Sequence, residues 1–381
     1  MTKTIYLDHA ATTPMAPEAI EVMTNALTEN YGNASSVHTL GKKNRVLIDY
    51  ARQTMAKSIG ADPREMIITS GGTESDNMAL IKTAEAYADK GKHIITTTVE
   101  HPAVLNPLRY LESKGFDVTY LPVDEKGRIT VEQVQEAIRP DTILVSIMYG
   151  NNEVGTIMPI QEIGALLAAS DHEIIFHTDA VQAYGAVEID VSELQVDLLS
   201  TSAHKMNGPK GMGFLYVRDG LKIPSMLLGG AQENARRAGT ENIPAILAFE
   251  KAIELNMARQ DKNNAHYQML KQTFIEGLTE VDVDFTVNGD TEKSLPHILS
   301  VNIPAMRSDM LLIQMDLHGI AMSAGSACSA GAIEPSHVLV AMFGEEAEEI
   351  EHTVRFSFGA SNTVEEIREV VAILKKITAT K

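Results

Sequence analysis

Between residues 66 and 217 short apolar runs alternate with longer amphipathic stretches, and this alternation constrains the fold more than any other feature. The runs at 66–69, 93–97, 118–121, 143–148, 174–179, 196–199 and 214–217 have the length and composition of buried strands. Helical stretches at 104–114, 131–138 and 159–169 lie between them, the last with Ile160, Ile163, Leu166 and Leu167 on one face. A strand–helix–strand rhythm buries both faces of a mostly parallel sheet under helices, so the expected class is α/β with a large seven-stranded sheet. Two helices, from about residue 17 and over 40–59, precede this region. After a polar loop at 229–241 and a long helix at 243–278, the pattern changes. Strands at 283–287, 298–303, 320–322 and 354–358 mix with helices at 309–318, 335–342 and 364–377, which suggests a smaller α+β domain. The expected division is 15–260 for the large domain and 1–14 with 261–381 for the small one.

Open α/β sheets bind ligands at the C-terminal ends of their strands. Five polar residues fall there. Thr73 lies in Ser70-Gly71-Gly72-Thr73, a turn that can offer free backbone N–H groups to an anion or simply cap the next helix. His101 follows the 93–97 run and can be an ordinary capping histidine. Asn152, in Gly150-Asn151-Asn152-Glu153, can hold a left-handed turn. Asp179 ends the 174–179 run, where it can cap a helix or pair with a protonated ring nitrogen. Lys205 sits in Ser202-Ala203-His204-Lys205, on a glycine-rich turn between two buried strands. That drier setting favours the neutral amine, the form that attacks an aldehyde. One such residue is unremarkable; five on one rim make a site. Asp at a strand end followed by Ser-x-His-Lys on a turn fits an enzyme that uses pyridoxal 5'-phosphate.

The one cysteine of the 381 residues, Cys328, has only Gly, Ala and Ser within four positions on either side. A free cysteine is most often a small buried hydrophobe. Nothing bulky anchors this segment, which suits a nucleophile that visits a site and leaves. A single cysteine also excludes an intrachain disulfide or a thiolate metal cluster, and no metal is expected. Arg355 stands inside the apolar run 354–358 and needs a carboxylate partner, from the protein or from a substrate. Two adjacent arginines, Arg236 and Arg237, make the loop at 229–241 a phosphate contact, a subunit contact or plain surface. A net charge of −19 argues against a broad nucleic-acid surface. No apolar run approaches the roughly 20 residues of a membrane span, and the first residues lack a signal-peptide core, so a cytoplasmic enzyme is expected.

These motifs together resemble the cysteine desulfurases of the NifS/IscS type, in the class V aminotransferase group of fold-type-I pyridoxal phosphate enzymes. The likeness runs from Tyr6-Leu7-Asp8-His9-Ala10-Ala11-Thr12-Thr13-Pro14 through Ser70-Gly71-Gly72-Thr73-Glu74, Glu100-His101, Tyr149-Gly150-Asn151-Asn152-Glu153-Val154-Gly155, His177-Thr178-Asp179-Ala180-Val181-Gln182, Ser202-Ala203-His204-Lys205 and Arg236-Arg237-Ala238-Gly239-Thr240-Glu241-Asn242 to Gly325-Ser326-Ala327-Cys328 and Arg355-Phe356-Ser357. The resemblance implies Lys205 as the Schiff-base lysine, Asp179 at the ring nitrogen, Gln182 at the ring hydroxyl and His101 over the ring. It implies Gly72, Thr73, Ser202 and His204 around the phosphate, with Thr240 reaching it from the second subunit of a homodimer. Asn152 and Arg355 would hold the carboxylate of L-cysteine, and Cys328 would take the sulfur as a persulfide, leaving L-alanine. A sulfur-acceptor protein is then required, either an iron–sulfur scaffold or a tRNA thiolase. Few residues follow the last helix before Lys381, whereas housekeeping members carry a scaffold-docking tail, so a tRNA thiolase is at least as strongly expected. Rival expectations are a selenocysteine lyase, a class V aminotransferase, or a catalytically silent scaffold.

Overall fold

A computed structural model of the chain describes residues 4–325 and 335–379. Its strands are β1 (Ile5–Tyr6), β2 (Met66–Thr69), β3 (His93–Thr97), β4 (Asp117–Leu121), β5 (Thr142–Ser146), β6 (Ile175–Asp179), β7 (Leu198–Ser200), β8 (Gly213–Val217), β9 (Thr286–Asn288), β10 (Ile298–Asn302), β11 (Ile320–Ala321) and β12 (Thr353–Ser357). Seven of them form one sheet in the order β2-β8-β7-β6-β5-β3-β4. The pairs β4–β3, β3–β5, β5–β6 and β6–β7 run parallel. β8 is antiparallel to both its neighbours. The loop from β7 to β8 contains only the single helical turn Ala203–Lys205, so the chain returns alongside without a crossover helix.

Every position of β2, β3, β5, β6, β7 and β8 is buried, which is why these strands read as apolar runs instead of alternating ones. Successive side chains still point to opposite faces. Ile95, Val145, Phe176, Leu199 and Phe214 enter one core, and Ile94, Leu144, Ile175, Leu198 and Leu215 enter the other. Phe176 has almost no exposed surface, and truncating such a side chain to Ala costs about 3–5 kcal/mol.

A third core joins a three-stranded antiparallel sheet, β12-β10-β9, to the end of the long helix Ile243–Glu280. That helix buries Ile246 and Phe249 against the large sheet and Leu270 and Phe274 against the small one. It ends where Asp282 turns left-handed and the Val283 N–H bonds back to Leu278. This closing turn uses residues expected to be strand, so β9 starts later than the run at 283–287. The start of the chain threads into the same region. Leu7 donates to Ala321, and its own carbonyl accepts from Ser357.

One helix is irregular. The stretch after β2 is helical from Gly72 to Tyr87, but its middle, Met78–Lys82, is a π turn. Such wide turns are often found beside functional sites. Among the described residues no helix is long and apolar enough to cross a membrane.

Candidate active site

Asp179 is the last residue of β6, and its backbone pairs with Ser200, the last residue of β7. Parallel pairing brings the loop after β7 directly beside Asp179, and that loop carries Ser202, His204 and Lys205. The Asp179 carboxylate accepts the Val181 N–H at 2.9 Å, so it closes its own turn as well as facing the cavity. Lys205 Nζ donates to the carbonyl oxygens of Ala10 and Ala11 at 2.6 and 2.9 Å. Gln182 Nε2 donates to the same Ala10 oxygen at 2.8 Å. The His204 ring meets Thr12 Oγ1 at 3.2 Å.

His101 caps the helix Pro102–Glu112, and its Nδ1 accepts the Ala103 N–H at 3.1 Å. The neutral ring therefore carries its proton on Nε2. Neither Ser70 nor Thr73 caps the helix after β2; Gly71 holds that place without a side-chain bond. A Cβ on Gly72 would come within 2.6 Å of the Val181 side chain, so the chain passes too close there for any larger residue. Asn152 does not hold the left-handed turn of its loop. Gly155 does, and Asn151 accepts the Glu153 and Val154 N–H groups.

These elements enclose a cavity of about 240 Å³. Gly72, Thr73, His101, Asn152, Asp179, Gln182, Ser202, His204, Lys205 and Arg355 all line it. A larger, more open hollow of about 670 Å³ adjoins it and shares Thr73 and His101. Thr240 is exposed and does not line the cavity of its own chain. Cys328 lies outside the described residues.

Arg355 answers the question its sequence position raised. Nη2 donates to Asp8 Oδ1 at 2.9 Å, and Nη1 donates to the Asn152 carbonyl at 2.8 Å. The carboxylate partner thus comes from the protein, while the buried Nε has no hydrogen-bond partner among the described residues. Arg237 pairs with Glu74 at 2.7 Å, and Arg236 donates to the Met66 carbonyl at 2.9 Å. Both arginines are engaged by their own chain, and Arg237 ties the loop of Thr240 to the helix that starts at Gly72.

Burial dominates the electrostatics. It lifts Asp179 to about 6, helped by the nearby carboxyl of Asp76 and opposed by His101. It lowers His101, against the pull of Asp179 and with help from Lys205 and His337. It takes His204 down to about 4, with Lys205 and Lys210 acting in the same direction. Two further carboxyls were missed in the sequence. Glu100 is raised to about 8 by burial, although its Oε1 accepts from the Met148 N–H and the Thr97 hydroxyl at 3.0 and 2.8 Å. Asp76 is raised to about 7 by burial, against a hydrogen bond from Ser200. Its Oδ1 lies 3.5 Å from His177 Nε2, near enough for an ion pair. Burial takes His177 down to about 4, so between the two values both groups are neutral and the contact is not an ion pair. Asp76 stands in the polar run Thr73-Glu74-Ser75-Asp76-Asn77, which gives no sign that Ser75 and Asp76 are its buried members. Glu100 was visible only as the neighbour of His101.

Comparisons with known proteins agree on one family. The model of the aminotransferase class-V family matches residues 5–370. The chain is 46% identical over 378 residues to the cysteine desulfurase IscS of Dictyoglomus turgidum, covering 99% of this chain and 95% of that protein. It resembles the solved structure of a NifS-like protein with a TM-score of 0.93, 34% identity and full coverage of both chains. It also resembles SspA in complex with cysteine, with a TM-score of 0.81 and 37% identity over 93% of this chain and 99% of that one.

Proposed function

The chain belongs to the class-V aminotransferase family, and from that premise we propose that it is a cysteine desulfurase dependent on pyridoxal 5'-phosphate. Its substrate is L-cysteine and its products are L-alanine and enzyme-bound sulfur. The observation that carries this reading is the convergence of Lys205, Asp179, His101 and Arg355 on one cavity. The residues present fit the cofactor. A lysine amine reaches the cavity, and a buried carboxylate ends the neighbouring strand.

Lys205 would hold the cofactor through Nζ, with Asp179 at its ring nitrogen, Gln182 at its ring hydroxyl and His101 on its face. Gly72, Thr73, Ser202 and His204 would surround its phosphate, joined by Thr240 of a second subunit. When bound, pyridoxal phosphate supplies an electron sink for electrons released at the substrate Cα. The chain's own residues do the rest. Arg355 and Asn152 orient the substrate carboxylate, and the unpartnered Nε of Arg355 is a donor such a group would satisfy. Lys205 would be the base that takes the Cα proton. His101, with its proton on Nε2, would pass protons at the same site.

Cys328 as the thiolate attacks the substrate sulfur. The carbon–sulfur bond breaks, a sulfur–sulfur bond forms on Cys328, and a proton completes alanine. With no second cysteine in the chain, an external thiol must take the sulfur, and we assign that role to a tRNA thiolase or an iron–sulfur scaffold. The homodimer is supported by exposed apolar side chains at Leu27, Tyr31, Val37, Val46, Tyr50 and Leu228. The proposed domains remain 15–260 and 1–14 with 261–381. Incubation of the purified protein with L-cysteine and a thiol reductant tests the function. Alanine and sulfide should appear in equal amounts with no amino acceptor present, and alanine formation that needs a keto-acid partner would make it an aminotransferase.

A further inference from the structure

Behind Asp179 lies a second carboxyl that the chemistry above does not use. Asp76, from the helix Gly72–Asn77, is 1% exposed and lines the same cavity. Its Oδ1 has no hydrogen-bond partner among the described residues. The groups around it are His177 and Asp179 on β6, Ser200 on β7, Glu100 and His101 after β3, and Lys205 across the cavity. None of the first five brings a positive charge to it. His177 is neutral and already meets Ser146 Oγ at 2.8 Å and Ser200 Oγ at 3.0 Å. His101 commits Nδ1 to Ala103, and Lys205 sends Nζ to Ala10 and Ala11.

A buried carboxylate with an unpaired oxygen beside a second carboxylate is less favourable there than a carboxylic acid. Of the two, Asp179 has the better claim to the charge, because it alone accepts a backbone N–H. We propose that Asp76 is a positioning residue that stays a carboxylic acid and thereby leaves Asp179 as the single negative charge offered to the cofactor ring nitrogen. Asp179 takes that role under the function proposed above, on which this step rests. Burial raises both carboxyls toward the acid form, and at Asp179 the nearby His101 and the Val181 N–H act against that rise. Burial raises Glu100 in the same direction.

Asp76→Asn keeps the shape and neutrality of the acid, and infrared spectroscopy of the cofactor-free protein reads the protonation state directly. In mildly acidic buffer the wild-type minus variant spectrum should show the loss of one carboxylic-acid carbonyl band per chain. Loss of a carboxylate band instead would overturn the proposal. The second readout is the visible absorption of the cofactor-loaded protein. Asp76→Asn should keep the wild-type maximum, whereas Asp179→Asn should shift it. A shift in Asp76→Asn equal to that in Asp179→Asn would mean that Asp76 supplies charge, and would also overturn the proposal. If Asp179→Asn leaves the maximum unmoved, the assignment of Asp179 fails and the positioning role with it, while the acid band still reports on Asp76 alone.

Discussion

Lys205 and Gln182 donate to one acceptor, the carbonyl oxygen of Ala10, at 2.6 and 2.8 Å. Residues from the large sheet are therefore organised by backbone from the start of the chain. That backbone is itself fixed between β11 and β12 through Leu7. The link explains how a lysine on a glycine-rich turn acquires a defined position, since two backbone carbonyls hold its amine.

Lys205→Ala should fold, because hydrogen bonds to neutral acceptors contribute only about 0.5–1.5 kcal/mol each. It should lose covalent attachment of the cofactor entirely. Borohydride treatment of the wild-type protein followed by peptide mapping should place the label on Lys205. A label on Lys210, the other lysine of the turn, would show the assignment to be wrong.

Arg355→Ala should damage both substrate binding and stability. The side chain is buried with Asp8, and removing one member of such a pair typically costs about 3–5 kcal/mol. The Asn152 carbonyl would lose its donor in the same change. Urea denaturation should show the loss in the cofactor-free protein, and kinetics should show a raised KM for L-cysteine. An unchanged KM in a folded variant would leave Arg355 with a structural role only.

Much of the large sheet was legible because its strands are buried on both faces, so each appears as a compact apolar run. The rim residues were legible as well, since each follows such a run. What could not be read were relationships that local pattern does not carry. Asp8 and Arg355 meet across almost the whole chain, and no periodicity links them. Asp76 lies in a polar run whose buried members only the fold selects. β7 begins two residues later than the run at 196–199, although the Asp197 backbone still bonds to Phe176 and Arg218, and its carboxylate accepts the Phe176 N–H at 2.7 Å and pairs with Arg218. The segment around Cys328 lies outside the described residues, and its reading still rests on sequence.

Glu100→Gln should change stability in a pH-dependent way. In the wild type the folded Glu100 titrates near 8, above its ordinary value of 4.5. Its contribution is fully present below the unfolded value and is lost as pH rises through the folded one. The glutamine keeps a carbonyl for the Met148 N–H but cannot ionise. Thermal unfolding of the cofactor-free proteins should therefore show the variant gaining on wild type from about pH 5 to about pH 8. A constant difference across that range would mean that Glu100 titrates alike in both states.

Thr240→Ala should weaken cofactor binding in the dimer by the worth of one hydrogen bond, about 1 kcal/mol or roughly fivefold. Light scattering should give twice the chain mass for both proteins. A fully active wild-type monomer would contradict the role given to Thr240.

Cys328→Ser should separate binding from sulfur transfer. The sequence neighbours of Cys328 are Gly, Ala and Ser, and serine differs from cysteine by one side-chain atom. Cofactor binding and dimer mass should be unchanged, since no residue lining the described cavity is altered. Exchange of the substrate Cα proton with solvent should persist, because that step uses Lys205. Alanine and sulfide formation should fall to background, because the chain has no other thiol to receive the sulfur. Mass spectrometry of the wild-type protein after exposure to L-cysteine should find one added sulfur, on the peptide containing Cys328. Wild-type rates of alanine formation by the serine variant would remove the thiol from the reaction and leave a lyase built on the same site.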